Sequence, residues 1–160
     1  MVRVQRGRRH TAKVGVTIDA DVAAVWRGLT DWTGQSQWMF ATTVTQDKGQ
    51  CVGLGERFTA TTGLRPFAFD DPMVVTHWDP PRQATVEHLG KVVRGEGDFE
   101  VFALPGGRSR VVWTERVGLP FGVIGGLSWP AAKLAFEVFA RGSLMRFREV
   151  VESAARAGQR

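Results

Sequence analysis

The chain has 160 residues, a formal net charge of +5 and an apolar fraction of 43%. This is one domain's worth of sequence, long enough to bury about 70% of its unfolded surface without help from a disulfide or metal. Its single cysteine, Cys51, excludes an internal disulfide, and no run of about 18 apolar residues is present to make a transmembrane helix. Residues 1–10 carry Arg3, Arg6, Arg8 and Arg9 and read as a basic, disordered arm, a solvated extension rather than a nucleic-acid-binding surface. They lack the apolar core of a signal peptide, so a cytoplasmic location is expected. Thr11–Ile18 alternates and reads as a strand. Asp19 or Asp21 can cap the helix that follows, in which Val22, Val25, Trp26 and Leu29 recur at core-facing spacing. Thr30–Met39 suggests a second short helix.

Strand-like alternation then continues through Thr42–Gln46, Glu56–Thr62, Phe67–Trp78, Gln83–Gly90, Val92–Leu104 and Arg108–Leu119. The punctuation is a turn at Gly49–Gly55, the double proline Pro80-Pro81, a turn at Gly90-Lys91 and the hairpin Pro105-Gly106-Gly107. Glycine is abundant at 19 residues, and its placement within strands marks bends or close backbone approach in a curved sheet. Pro120–Leu127 reads as a Gly-rich apolar loop. A long helix from about Ser128 to Ala157 closes the chain, with Ser128 as N-cap and Pro130 in its first turn. Phe136, Phe139, Ala140, Ser143, Phe147, Val150 and Ala154 share one of its faces. Leu134, Val138 and Met145 form a second stripe. Two stripes imply contact on two sides: the sheet on one, and a loop, the short helices or a second subunit of a homodimer on the other.

These pieces together resemble a known group. VTIDADVAAVWRGLTDWTGQSQW (16–38), VGLGERF (52–58), VVTHWDPPRQATVEHLG (74–90), GGRSRVVWTERV (106–117) and SLMRFREVVE (143–152) are similar, in order, to the START-like, Bet v 1-like (SRPBCC) superfamily. Within it they resemble the bacterial polyketide cyclase/dehydrase-like group. The resemblance spans residues 11–157 as a single domain. It implies an α+β helix-grip fold: a seven-stranded curved antiparallel sheet wrapped around a long C-terminal helix, with two short helices after the first strand and an apolar internal cavity. Members bind hydrophobic small molecules, and some catalyse cyclisation or dehydration without metal or cofactor. The group has no universal catalytic motif, and this chain has no tyrosine to act as an acid.

Site residues are therefore sought on inward faces. In the last strand Val111, Trp113, Glu115 and Val117 share a face opposite Arg110 and Arg116, which aims Glu115 at the cavity. A carboxylate there can orient a ligand or transfer a proton. His88 alternates with Val86 on an apolar face and is the second candidate. Trp78 rather than His77 is expected inside. Trp26, Trp38, Trp78, Phe99, Trp113, Phe136, Phe139 and Phe147 would complete an aromatic lining suited to a flat ligand. Glu96, Asp98 and Glu100 read as a solvated acidic face. Histidines and the lone cysteine show no metal-ligand spacing, and no glycine loop marks a cofactor. The expected function is binding of an aromatic, polyketide-like or lipid molecule. The alternatives are an enzyme of the cyclase/aromatase type using Glu115 and His88, and an interaction protein contacting RNA or a partner through basic termini.

Overall fold

The computed structural model describes residues 10–47, 52–118 and 122–158, with side chains up to residue 128 of the last segment left out. The basic arm at 1–9, Cys51 and part of the 49–55 turn lie outside the described residues. Seven strands form one antiparallel sheet: β1 (His10–Ile18), β2 (Thr42–Gln46), β3 (Arg57–Thr62), β4 (Phe69–Asp79), β5 (Gln83–His88), β6 (Arg94–Leu104) and β7 (Arg108–Gly118). Their order is β1-β7-β6-β5-β4-β3-β2. Consecutive strands from β2 to β7 are hairpin neighbours, and β1 closes onto β7. At the β6–β7 turn, Gly106 and Gly107 adopt φ of 79° and 69°, left-handed values that glycine reaches without a Cβ clash.

Between β1 and β2 the chain forms α1 (Val22–Thr30) and a short 3-10 turn (Thr33–Gln37). Asp21 caps α1 by accepting from the Ala24 amide at 2.8 Å. Val25, Trp26 and Leu29 are buried as their spacing requires. The closing helix, α2 (Gly122–Gly158), lies along β1 and touches α1. A Cβ at Gly28 would sit 3.1 Å from the Phe147 ring and 3.3 Å from Val151, so this glycine is what lets the two helices approach.

Three expectations are corrected here. α2 starts at Gly122, not Ser128; the segment 122–127, expected as a loop, is helical, and Pro130 lies inside the helix. Local breakers cost about 1 kcal/mol for glycine and about 3 for proline, yet the backbone is helical through them. Within the chain, no described loop or short helix covers the second helical stripe: Leu134 and Val138 remain 63% and 66% exposed, while Met145 packs against the core. Finally, Asp98 is buried rather than solvated. It accepts from the Thr85 hydroxyl at 2.6 Å and pairs with Arg116, tying β5 to β7 across β6.

The interior has two halves. Beneath the C-terminal half of α2, Ala140, Leu144, Phe147 and Val151 pack solidly among Ile18, Val25, Leu29 and Trp38. Beneath its N-terminal half the packing opens into a cavity.

Candidate functional site: a cavity with an acid–histidine–acid row

The cavity has a volume of about 360 Å³. Sheet residues form its floor and Trp129, Ala132, Ala135, Phe136 and Phe139 of α2 form its roof. Ala135 is exposed to solvent and Trp129 and Ala132 half-exposed, which places an opening along that edge of the helix. Trp113 is the centre of the aromatic wall. Its ring lies 5.0 Å from Phe99, 5.4 Å from Phe136 in an edge-on contact and 6.1 Å from Phe139. Edge-on and tilted contacts of this kind add to the attraction from buried area alone.

One row of polar side chains interrupts the apolar wall. His88 ends β5 with its Nδ1 2.6 Å from Asp71 Oδ2 on β4 and its Nε2 3.1 Å from Glu115 Oε2 on β7. The Trp113 indole N–H donates to Glu115 Oε1 at 2.7 Å. All three members of the row are buried, with exposures of 7% for Asp71, 9% for His88 and 7% for Glu115. A neutral imidazole carries one N–H, yet both ring nitrogens face a carboxylate oxygen, so the geometry calls for the imidazolium. Burial pushes the His88 pKa down, but hydrogen bonds to Asp71 and Glu115 and the charges of both carboxylates outweigh it and raise the pKa to about 10.

His88 and Glu115 come from strands that are not neighbours. They meet because β6, which runs between them, has no side chains in the way. Gly95 pairs with His88 and Gly97 pairs with Glu115. A Cβ on Gly97 would fall 2.8 Å from Glu115 Oε1; one on Gly95, whose φ is 142°, would fall 2.1 Å from the Arg116 carbonyl. The sequence Gly-Glu-Gly at 95–97 therefore supplies the close approach across the sheet. The other buried acids, Glu56 and Asp98, are held in structural ties away from the cavity. Glu56 accepts from the Gly53 amide at 2.8 Å and from the Gln46 amide group. Both ring nitrogens of His88 are engaged, and among the described residues no group of three or more His, Cys, Asp or Glu side chains is arranged to hold a metal ion.

Of the residues expected at the site, His88, Phe99, Trp113, Glu115, Phe136 and Phe139 line the cavity together. Trp26, Trp38, Trp78 and Phe147 do not. Trp26 packs on Trp78 at 5.1 Å, and Trp38 on Phe147 at 4.9 Å, filling the solid half of the interior. Trp32, Met39 and Phe58 take lining positions instead, with Trp32 stacked on Phe58 at 4.5 Å. Asp71 was not anticipated. It lies within Phe67–Trp78, which reads as a strand, and a register shift between Val75 and His77 conceals its face. Asp71, Met73 and Val75 point inward; past the shift His77 is exposed and Trp78 turns toward the core. Strict alternation counted back from Trp78 would have placed Asp71 outside.

No curated protein sequence matches this chain. Among solved structures, a protein from Thermus thermophilus superposes with a TM-score of 0.77 at 18% identity, covering 91% of this chain and 99% of that one. The Zhui aromatase/cyclase from Streptomyces sp. R1128 gives a TM-score of 0.68 at 19% identity, covering 96% and 97%. A polyketide cyclase-like protein from Corynebacterium glutamicum gives 0.64 at 15%, covering 92% and 94%. These likenesses agree with the helix-grip architecture. The family model described as polyketide cyclase / dehydrase and lipid transport matches residues 9–152, so with the curved sheet, the long helix and the cavity between them in place, the chain belongs to the polyketide cyclase/dehydrase and lipid transport family, within the START-like superfamily.

Proposed function

We propose that this protein binds a hydrophobic small molecule with an aromatic or polycyclic body inside the cavity, without transforming it. The observation that carries this reading is the cavity itself: about 360 Å³, walled by Phe99, Trp113, Phe136 and Phe139, with one polar row on its floor. That size is within the usual range for small-ligand sites, roughly 300–1,000 Å³. Burial of ligand surface at about 25 cal/mol per Å² supplies the affinity, and Asp71, His88 and Glu115 orient the molecule. The family's description and the Zhui aromatase/cyclase, similar in fold, support a ligand of this general kind.

The enzymatic reading assigns Glu115 and His88 as base and acid. His88 argues against it. A general acid–base group works best with a pKa near the operating pH, whereas this imidazolium holds its proton up to about 10. Both of its N–H groups are already committed to carboxylates. Orientation suits such a group better than proton relay.

The test is a titration with naphthalene followed through the Trp113 indole N–H resonance. Wild-type protein should show saturable shifts. Ala60→Phe, which adds a ring at a lining position only 5% exposed, should weaken binding at least tenfold while remaining folded. Absence of saturable binding in the wild type, or equal binding by a folded Ala60→Phe protein, would remove the proposal.

A further inference from the structure

The hydrogen-bond inventory of the polar row has a direction. Every donor in it is spent. His88 gives one N–H to Asp71 and the other to Glu115, and Trp113 gives its N–H to Glu115. What remains is acceptor capacity. Asp71 Oδ1 is buried and has no hydrogen-bond partner. Each Glu115 oxygen receives one donor, from His88 or from Trp113, leaving its second lone pair. A buried carboxylate oxygen without a donor is unfavourable, and a donor brought to it removes that penalty. Charge points the same way. Two carboxylates and one imidazolium leave the row with one net negative charge, and among the described residues no lysine or arginine lines the cavity. The nearby arginines are turned elsewhere: Arg116 pairs with Asp98 and Glu96, and Arg94 donates to the Gly90 carbonyl at 3.3 Å. Of the remaining polar groups at the cavity, Thr62 is tied to the Thr42 hydroxyl at 3.0 Å and the Gln35 amide to the Leu29 carbonyl at 3.1 Å, while the indole N–H of Trp32, whose ring stacks on Phe58 outside the row, has no partner among the described residues.

We propose that the cavity selects aromatic ligands carrying a hydrogen-bond donor, a phenolic hydroxyl or a protonated primary amine, at the end that meets Asp71 and Glu115, and rejects the corresponding carboxylates. A ligand carboxylate would bring a third negative group against a row that has no donor left for it. This inference rests on the cavity-binding reading above. It adds the polarity of the ligand's head and the end of the cavity at which that head lies.

The experiment compares four probes of one ring system by calorimetric titration at pH 7: naphthalene, 2-naphthol, 1-naphthylmethylamine and 2-naphthoate. The two donor probes should bind at least tenfold more tightly than 2-naphthoate, a difference of about 1.4 kcal/mol. In Asp71→Asn, where an amide replaces the unpartnered oxygen or its neighbour, the preference should shrink to less than about threefold. Glu115→Gln provides the second variant should Asp71→Asn fail to fold, and the wild-type ranking is decisive if neither folds. If naphthalene binds but 2-naphthoate binds within threefold of 2-naphthol or more tightly, the selectivity is wrong and the cavity-binding reading survives. If a folded variant keeps the full preference, the row does not set it. If none of the four binds, the cavity-binding reading falls and this inference with it.

Discussion

Alkaline pH should loosen this protein through one residue. His88 holds its proton more tightly folded than unfolded, with a pKa raised from the ordinary 6.5 to about 10. The sign follows directly. For a raised pKa the stabilisation is fully present below about pH 6.5, declines as the pH climbs, and is lost above about 10. Each tenfold change in proton affinity is 1.36 kcal/mol, so a rise of this size is worth on the order of 5 kcal/mol. That is a large part of the 5–15 kcal/mol by which domains are usually stable. The cause is local: the 2.6 Å contact with Asp71 and the 3.1 Å contact with Glu115 outweigh the burial that opposes the charge. Denaturant unfolding at intervals from pH 6.5 to 10 should show a steady fall in stability, absent from His88→Gln, so that other titrating groups cancel in the comparison. Carbon-13 NMR of the His88 ring should show an imidazolium persisting through neutrality. Glu115→Gln should lower the titration point and flatten the stability curve, because Asp71 alone then supports the charge. A His88 ring that loses its proton below pH 7.5, or wild-type and His88→Gln curves that run parallel, would refute the reasoning.

Two further predictions concern packing. Gly97→Ala, which forces a methyl to within 2.8 Å of Glu115 Oε1, should cost about 1–3 kcal/mol and bring the His88 titration point down by moving Glu115. Gly95→Ala should be worse, since its obstacle is the Arg116 backbone; thermal unfolding and the His88 resonance report both, and an unperturbed Gly97→Ala protein would contradict the proposed approach. Phe147→Ala, at a fully buried position in the solid half, should cost about 3–5 kcal/mol. Phe136→Ala, half-exposed beside an existing void, should cost clearly less. Equal losses in chemical denaturation would mean that the interior is not divided into solid and hollow halves.

The family match to residues 9–152 and the observed fold agree with what the resemblance of the quoted segments implies. Periodicity is a local property, and it placed what local geometry decides. Val25, Trp26 and Leu29 face the core because a helix repeats every 3.6 residues. Glu115 shares an inward face with Trp113, and His88 with Val86, because strand side chains alternate. Two kinds of information lay beyond that reach. One is any interruption of a local rule: the shift after Val75 turned Asp71 inward against a count taken from Trp78, and α2 begins within a segment whose Gly122, Gly125, Gly126 and Pro130 locally oppose a helix. The other is the relation between inward residues. Trp26, Trp38, Trp78 and Phe147 point inward like Trp113 and Phe139, yet the first group fills space and the second encloses it. A void is the difference between the volume the sheet and helix enclose and the volume all their side chains occupy, so no single segment encodes it. The contact of His88 with Glu115 is of the same kind. It needs β5 and β7 to flank one strand and that strand to offer glycine at both crossing points, a coincidence that exists only once the sheet has formed.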